Sequence, residues 1–143
     1  ETSTSPEAQP TDGWGSSAMA WALVEGLAGV VDRGRTMDAV RLSPRWEAAG
    51  ITEAEVSVGY AASGASVKYR YRRIGDRITL EVEAEGAHVG WHILLPASHR
   101  AANARCNGAA VAPGNAQIES SAYADGSCRV EGRARIELDI TAA

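Results

Sequence analysis

Phenylalanine does not occur in this 143-residue chain, and aromatic residues make up only 6% of it. A core built from such a composition has to rest on Val, Ile, Leu and Ala, with a few Trp and Tyr rings at key positions. Cysteine is equally scarce. Cys106 and Cys128 are the two present, 22 residues apart, too few for a structural zinc site and without a His pair beside them. They lie in the last third, where strand signals are weak, and a disulfide between them is expected if the chain is secreted. The histidines are His88, His92 and His99, and their spacing matches no metal-ligand motif. Phosphate-cradling glycine loops and nucleophile elbows are missing too, so nothing implies a metal or a cofactor. Acidic and basic residues are interspersed to a net charge of −4, which argues against nucleic acid and anionic membranes as partners. No heptads and no repeat of roughly 20 to 50 residues occur.

What the chain does have is one long apolar stretch, from Gly13 to Val31. Between Trp14 and Val31 the only charge is Glu25, and the only other polar residues are Ser16 and Ser17. At about 100° per residue, Trp14, Ala18, Trp21, Glu25 and Ala28 share one helix face, with Met19, Leu23, Leu27 and Val30 opposite. A helix apolar on both faces is buried on both, and the rest of this chain is small for supplying two partners. The Ala and Gly content, the central Glu25 and the lack of a preceding basic cluster argue against a membrane span. The acidic and polar segment from Glu1 to Asp12 likewise lacks the positive region of a secretory signal. It reads as an irregular lead-in, with Asp12 or a nearby Ser as a helix cap and with Gly29 or Gly34, beside Arg33 and Arg35, as the stop.

After Gly34 the periodicity becomes alternating. Ala39 to Leu42 reads as a short strand ended by Ser43 and Pro44, and Val56, Val58 and Tyr60 as a second, followed by a loose turn to Gly64. The Gly75-Asp76 loop suits a two-residue type II′ hairpin. That register sets Ile74 opposite Arg77, then Tyr71 opposite Leu80, Tyr69 opposite Val82 and Val67 opposite Ala84. On the other face it pairs Arg70 with Glu81 and Lys68 with Glu83, and places Arg72 beside Thr79. The basic cluster Lys68, Arg70, Arg72 and Arg73 therefore reads as a neutralised solvent face rather than as a polyanion site. Val89, Trp91, Ile93 and Leu95 continue inward to Pro96. Residues 98–114 read as irregular. Gln117 to Tyr123 and Cys128 to Val130 read as weaker strands around a turn at Ala124 to Ser127. Arg133 to Ile140 closes the chain with Ile136, Leu138 and Ile140 inward. The fold class expected is mainly β, an antiparallel β-sandwich preceded by one long buried helix.

Few residues stand out as chemistry. Glu25, lying among indoles, would have its pKa raised by desolvation and become a candidate general acid; the alternative is a carboxylate paired with backbone or an Arg. Trp46, after Pro44 in a loop, is a candidate sugar-stacking ring, whereas Trp91 alternates inward.

The order of elements resembles a known family. Glu1-Thr2, a Pro-containing loop, Gly13-Trp14-Gly15-Ser16-Ser17, an Ala/Leu helix and Leu27-Ala28-Gly29-Val30 resemble the last hairpin of glycoside hydrolases with an (α/α)6, six-hairpin barrel. The linker Met37 to Pro44, with its Val-Arg-Leu-Ser-Pro, and the strands ending at Leu94-Leu95-Pro96 resemble the β-sandwich that follows the barrel in bacterial α-L-rhamnosidase-like enzymes. The resemblance covers most of the first 96 residues. It implies that residues 1–36 are a lead-in loop and terminal helix of a barrel-like unit, and residues 37–143 a β-sandwich domain. It implies Glu1 as a catalytic base in inverting hydrolysis and Trp14 as a lining of the sugar site. Glycoside hydrolysis needs two carboxyl groups, and the acid would lie upstream of Glu1. The reading is thus a C-terminal accessory region of a carbohydrate-active enzyme, non-catalytic on its own. Its partner would be the upstream barrel, or a second copy in a homodimer, and a secreted or periplasmic location is favoured over a cytoplasmic one. The competing reading is a self-standing carbohydrate-binding or protein-interaction module.

Overall fold

The computed structural model of the protein describes residues 13–143. It is mainly β, a helix leading into a sandwich. The helix runs as α1 over Gly13–Trp21 and continues π-helically over Ala22–Leu27. Nine strands follow among the described residues: β1 (Val30–Asp32), β2 (Ala39–Leu42), β3 (Glu53–Gly59), β4 (Ser66–Ile74), β5 (Arg77–Leu94), β6 (His99–Cys106), β7 (Ala109–Val111), β8 (Gly114–Ile118) and β9 (Ser121–Ala142). A 3-10 turn, Trp46–Ala49, lies between β2 and β3. No described helix is long and apolar enough to cross a membrane.

Two strands serve both layers. β5 and β9 pair antiparallel along nearly their whole length, with a register shift between Ala84 and Ala87. There Gly86 (φ 66°) and Gly132 (φ 81°) take the left-handed conformation that glycine adopts without a Cβ penalty, and a bulge of this kind bends a strand. On one side of the bend the order is β3-β4-β5-β9-β6-β7, and on the other it is β1-β2-β5-β9-β8. The alternating inward side chains of both parts form one core. Val67, Tyr69, Tyr71, Leu80, Val82, Ile136 and Leu138 come from the first part, and Val40, Leu42, Val89, Trp91, Ile93 and Val130 from the second. Two links tie the parts together elsewhere. The Asn115 side chain of β8 brackets Ala101 of β6, accepting from its N–H at 2.8 Å and donating to its carbonyl at 3.2 Å. Cys106 and Cys128 form a disulfide between β6 and the first half of β9, with Cα atoms 6.6 Å apart. In the loop-entropy view a closure of this size contributes about 3 kcal/mol.

The β4–β5 hairpin has the register its turn chemistry and alternation predict, from Ile74 opposite Arg77 to Val67 opposite Ala84. Of its two loop residues only Gly75 has positive φ, at 54°, as a type II′ turn requires. The ion pairs differ from the ones expected. Arg70 reaches back to Glu53 and, at 3.6 Å, to Glu55 on β3, while Glu81 and Glu83 pair with Arg135 (3.4 Å) and Arg133 (2.9 Å) on β9. A central strand has neighbours on both sides, so a carboxylate opposite one cation is free to choose the other flank. The face is still neutralised, by a lattice across four strands rather than by one hairpin.

Other expectations are corrected. The helix ends at Leu27, not at Val31, because Gly29 turns left-handed (φ 69°) and the β-branched Val30 and Val31 join β2. A Cβ at Gly29 would fall inside the Ser43 backbone, so only glycine lets the two segments approach this closely. The sheet is not wholly antiparallel, since β2 runs parallel to β5. Residues 98–114 carry β6 and β7 instead of irregular chain, and Ala124 to Ser127 is strand rather than turn. The helix has no residue buried by this chain.

The expected turn at Ala124 to Ser127 is strand for a packing reason. Gly126 faces Trp91 across the β5–β9 pair, and a Cβ there would lie within the indole ring. The glycine is the space into which the ring of Trp91 folds. Gly126→Val is expected to cost about 1–3 kcal/mol by overpacking, read as a lower urea midpoint at unchanged slope.

The ion-pair lattice makes a second prediction. Hydrogen bonds from Arg70 and then Arg72 hold the Glu53 carboxyl below its usual range. A carboxylate depressed in the folded state adds stability that is present above its unfolded pKa and is lost as pH falls through the folded one. Glu53→Gln is therefore expected to be slightly less stable than the parent at neutral pH, with the difference vanishing in acid below the depressed pKa and shrinking with added salt. Urea midpoints against pH check this.

Candidate functional site

The helix and its junction with the sandwich form the most distinctive feature of the molecule. A helix leaves its last carbonyls without intrahelical donors, and here each of several finds one. Ala28 N–H donates to the Leu23 carbonyl at 2.8 Å, Arg45 Nη1 to Gly26 at 2.8 Å, and Arg45 N–H to Leu27 at 3.0 Å. The Tyr69 hydroxyl donates to the Ala28 carbonyl at 2.6 Å and accepts the Trp46 indole N–H at 3.0 Å. Burial pushes the Tyr69 phenol up, against the opposing hydrogen bond from Trp46, so it stays protonated and keeps its donor role. Arg45 and Trp46 stand at the 3-10 turn, which an Arg73–Glu47 ion pair of 3.0 Å pins to β4. Arg73 Nε lacks hydrogen-bond geometry there, so the contact is electrostatic.

Beyond this anchored end the helix stands clear of the sandwich. Trp14 is 90% exposed, Met19 69%, Trp21 64% and Leu23 57%, and Val24 alone among the larger helical side chains packs partly against the core. Beside the junction lies an acidic corner. Burial pushes the Asp32 carboxyl up, but hydrogen bonds from Gly34 N–H, Met37 N–H and Tyr60 outweigh it and hold the group below its usual range. The Asp32 hydrogen bond, then desolvation and the charges of Asp32 and Glu25, raise Tyr60 in turn.

The structure scatters the candidate residues named from sequence. Glu1 lies outside the described residues, as does Asp12. Trp14 stands in the first turn of the helix. Glu25 is exposed in the π-helical segment near Tyr60 rather than enclosed among indoles by the described residues. Trp46 is half-buried with its N–H given to Tyr69, which makes it a buttress of the junction. Trp91 is buried. Arg45 and Tyr69 carry no functional signal in the sequence. Tyr69 reads from sequence only as an inward strand residue, and no local pattern signals a hydrogen bond 41 residues back to Ala28.

The fold is shared with part of an α-L-rhamnosidase from Dictyoglumus thermophilum, at a TM-score of 0.53 and 9% identity, over 79% of this chain and 12% of that chain. It is also shared with part of a cycloalternan-forming enzyme from Listeria monocytogenes, solved in complex with a pentasaccharide substrate. There the TM-score is 0.51 at 13% identity, over 73% of this chain and 11% of that chain. The chain thus matches a small portion of much longer enzymes, and at these identities the likeness is one of fold. In sequence, no protein-family model and no curated protein matches.

Tyr69→Phe is expected to destabilise the chain by about 1–3 kcal/mol, because it strands the Ala28 carbonyl and the Trp46 N–H. Tyr71→Phe, which removes a buried hydroxyl without a partner among the described residues, is expected to be neutral or stabilising. Denaturant titration of the two variants side by side separates loss of the junction from loss of a phenol.

Proposed function

We propose that the chain is the C-terminal accessory β-sandwich region of a bacterial glycoside hydrolase, non-catalytic on its own, whose helix is buried against an upstream (α/α) barrel. The observation that carries this reading is the anchored, apolar, uncovered helix. Fully burying a large apolar side chain is worth about 1.5–3 kcal/mol, so Met19, Trp21 and Leu23 together favour docking far more than a single Glu25 opposes it. The junction hydrogen bonds give the helix a set exit from the sandwich, which suits docking of a rigid accessory rather than a flexible tether. The fold likeness to a part of a rhamnosidase supports the same reading. The disulfide supports a secreted or periplasmic location, since such bonds persist in oxidising compartments. The chemistry agrees by count: the candidate carboxylates are Glu1 and Glu25, and glycoside hydrolysis needs two carboxyl groups flanking one bond.

The isolated chain is expected to leave a panel of aryl rhamnosides and glucosides unhydrolysed and to bind a hydrophobic dye through its helix. In the barrel-containing parent, Trp21→Asp with Leu23→Asp should lower the melting temperature of the barrel and abolish co-purification of separately expressed halves. Turnover by the isolated chain that Glu1→Gln or Glu25→Gln removes would sink the accessory reading, and a monodisperse dimer with no dye binding would replace the barrel with a second copy.

A further inference from the structure

The outer face of the β3-β4-β5-β9 part of the sheet is a concave trough of about 810 Å³. It runs on, through Lys68, Glu83 and Arg133, into a second hollow of about 560 Å³ beside the bend at Gly132. The charged residues along it are Lys68, Arg70, Arg133 and Arg135, matched by Glu55, Glu81, Glu83 and Glu85, so the trough as a whole is neutral. Most are already paired: Arg70 with Glu55, Arg135 with Glu81 and Arg133 with Glu83. Lys68 and Glu85 have no ion-pair partner among the described residues. The apolar residues that border the trough, Val56, Tyr69, Val82 and Ala134, alternate with the charged ones, and Tyr69, Val82 and Ala134 are buried.

We infer that this trough is a binding surface for a neutral, hydroxyl-rich chain, that is, an oligosaccharide lying across the strands. Side-by-side guanidinium and carboxylate groups offer a donor and an acceptor at the spacing of vicinal hydroxyls, and charge-assisted hydrogen bonds are the strong ones. Strands stand about 4.8 Å apart, close to the repeat of an extended pyranose chain, so successive rings meet successive strands and their charged rows. An anionic ligand finds no net field to draw it. A peptide finds no apolar pocket in which to anchor a side chain. The uncommitted Lys68 and Glu85 supply one further donor and acceptor without breaking a pair. The inference stands on the face opposite the core and is independent of where the helix docks.

Amide chemical shifts of the chain would be followed during titration with neutral hexasaccharides of glucose, xylose, mannose and rhamnose, with a hexauronate, and with a polar peptide of matched length. At least one neutral sugar is expected to give saturable shifts in β3, β4, β5 and β9 around Lys68 and Arg133. Arg70→Ala with Arg135→Ala, checked for folding by its spectrum, should weaken that binding at least five-fold, and Trp21→Asp should leave it unchanged. Silence from every neutral sugar, tighter binding of the hexauronate or the peptide, or shifts insensitive to the double variant would overturn the inference.

Discussion

The antiparallel pairing of β5 with β9 is the interaction on which the rest of the structure depends. It runs through sixteen residue pairs, interrupted by one bulge, and every other strand except β1, β3 and β7 hydrogen-bonds directly to one of these two. Because both strands continue past the bulge, a single ladder supplies the centre of both parts of the sandwich. The bend at Gly86 and Gly132 is what lets one ladder do so. Glycines stand at the bend, and Val, Ile, Leu, Ala and Trp91 of the ladder fill the core.

Hung on that ladder, the helix is the part whose energetics the chain leaves incomplete. Its C-terminal carbonyls are satisfied by Arg45 and Tyr69, and Trp46 and the Glu47–Arg73 pair stiffen the support. Met19, Trp21 and Leu23 along it are exposed, while Val24 packs partly against the core. Intrinsic propensity alone holds short helices marginally in water, so the hydrogen bonds at its C-terminal end matter to its stability.

Much of this was legible in advance wherever the causes are local. The Gly75-Asp76 turn, the alternation of Val67, Tyr69 and Tyr71 and that of Ile78, Leu80 and Val82 settle the hairpin register, because turn geometry and apolar pattern act within a few residues. The helix stop is only partly local: Gly29 and Gly34 both qualify by local pattern, and the helix ends at Leu27 before Gly29 rather than at Val31. The misread segments are those whose stabilising partners are far away in sequence. Ala101, Ala104 and Ala124 look like loop because small residues carry little strand propensity, yet all are buried in the ladder between long neighbours. Gly126 looks like a turn and is a strand residue, because its missing side chain is filled by Trp91 from the partner strand.

The division between sequence and tertiary structure follows the range of the forces involved. By itself the sequence determined that the protein is mainly β, that one hairpin has one register, and that an apolar helix precedes the sheet. Only the tertiary structure decided that β9 runs unbroken for 22 residues, that β2 lies parallel to β5, that Arg70 pairs with β3 rather than with β5, and that Tyr69 closes the helix end. Each of these depends on which side of a strand a neighbour occupies, and that is fixed by packing between segments tens of residues apart rather than by any pattern along the chain.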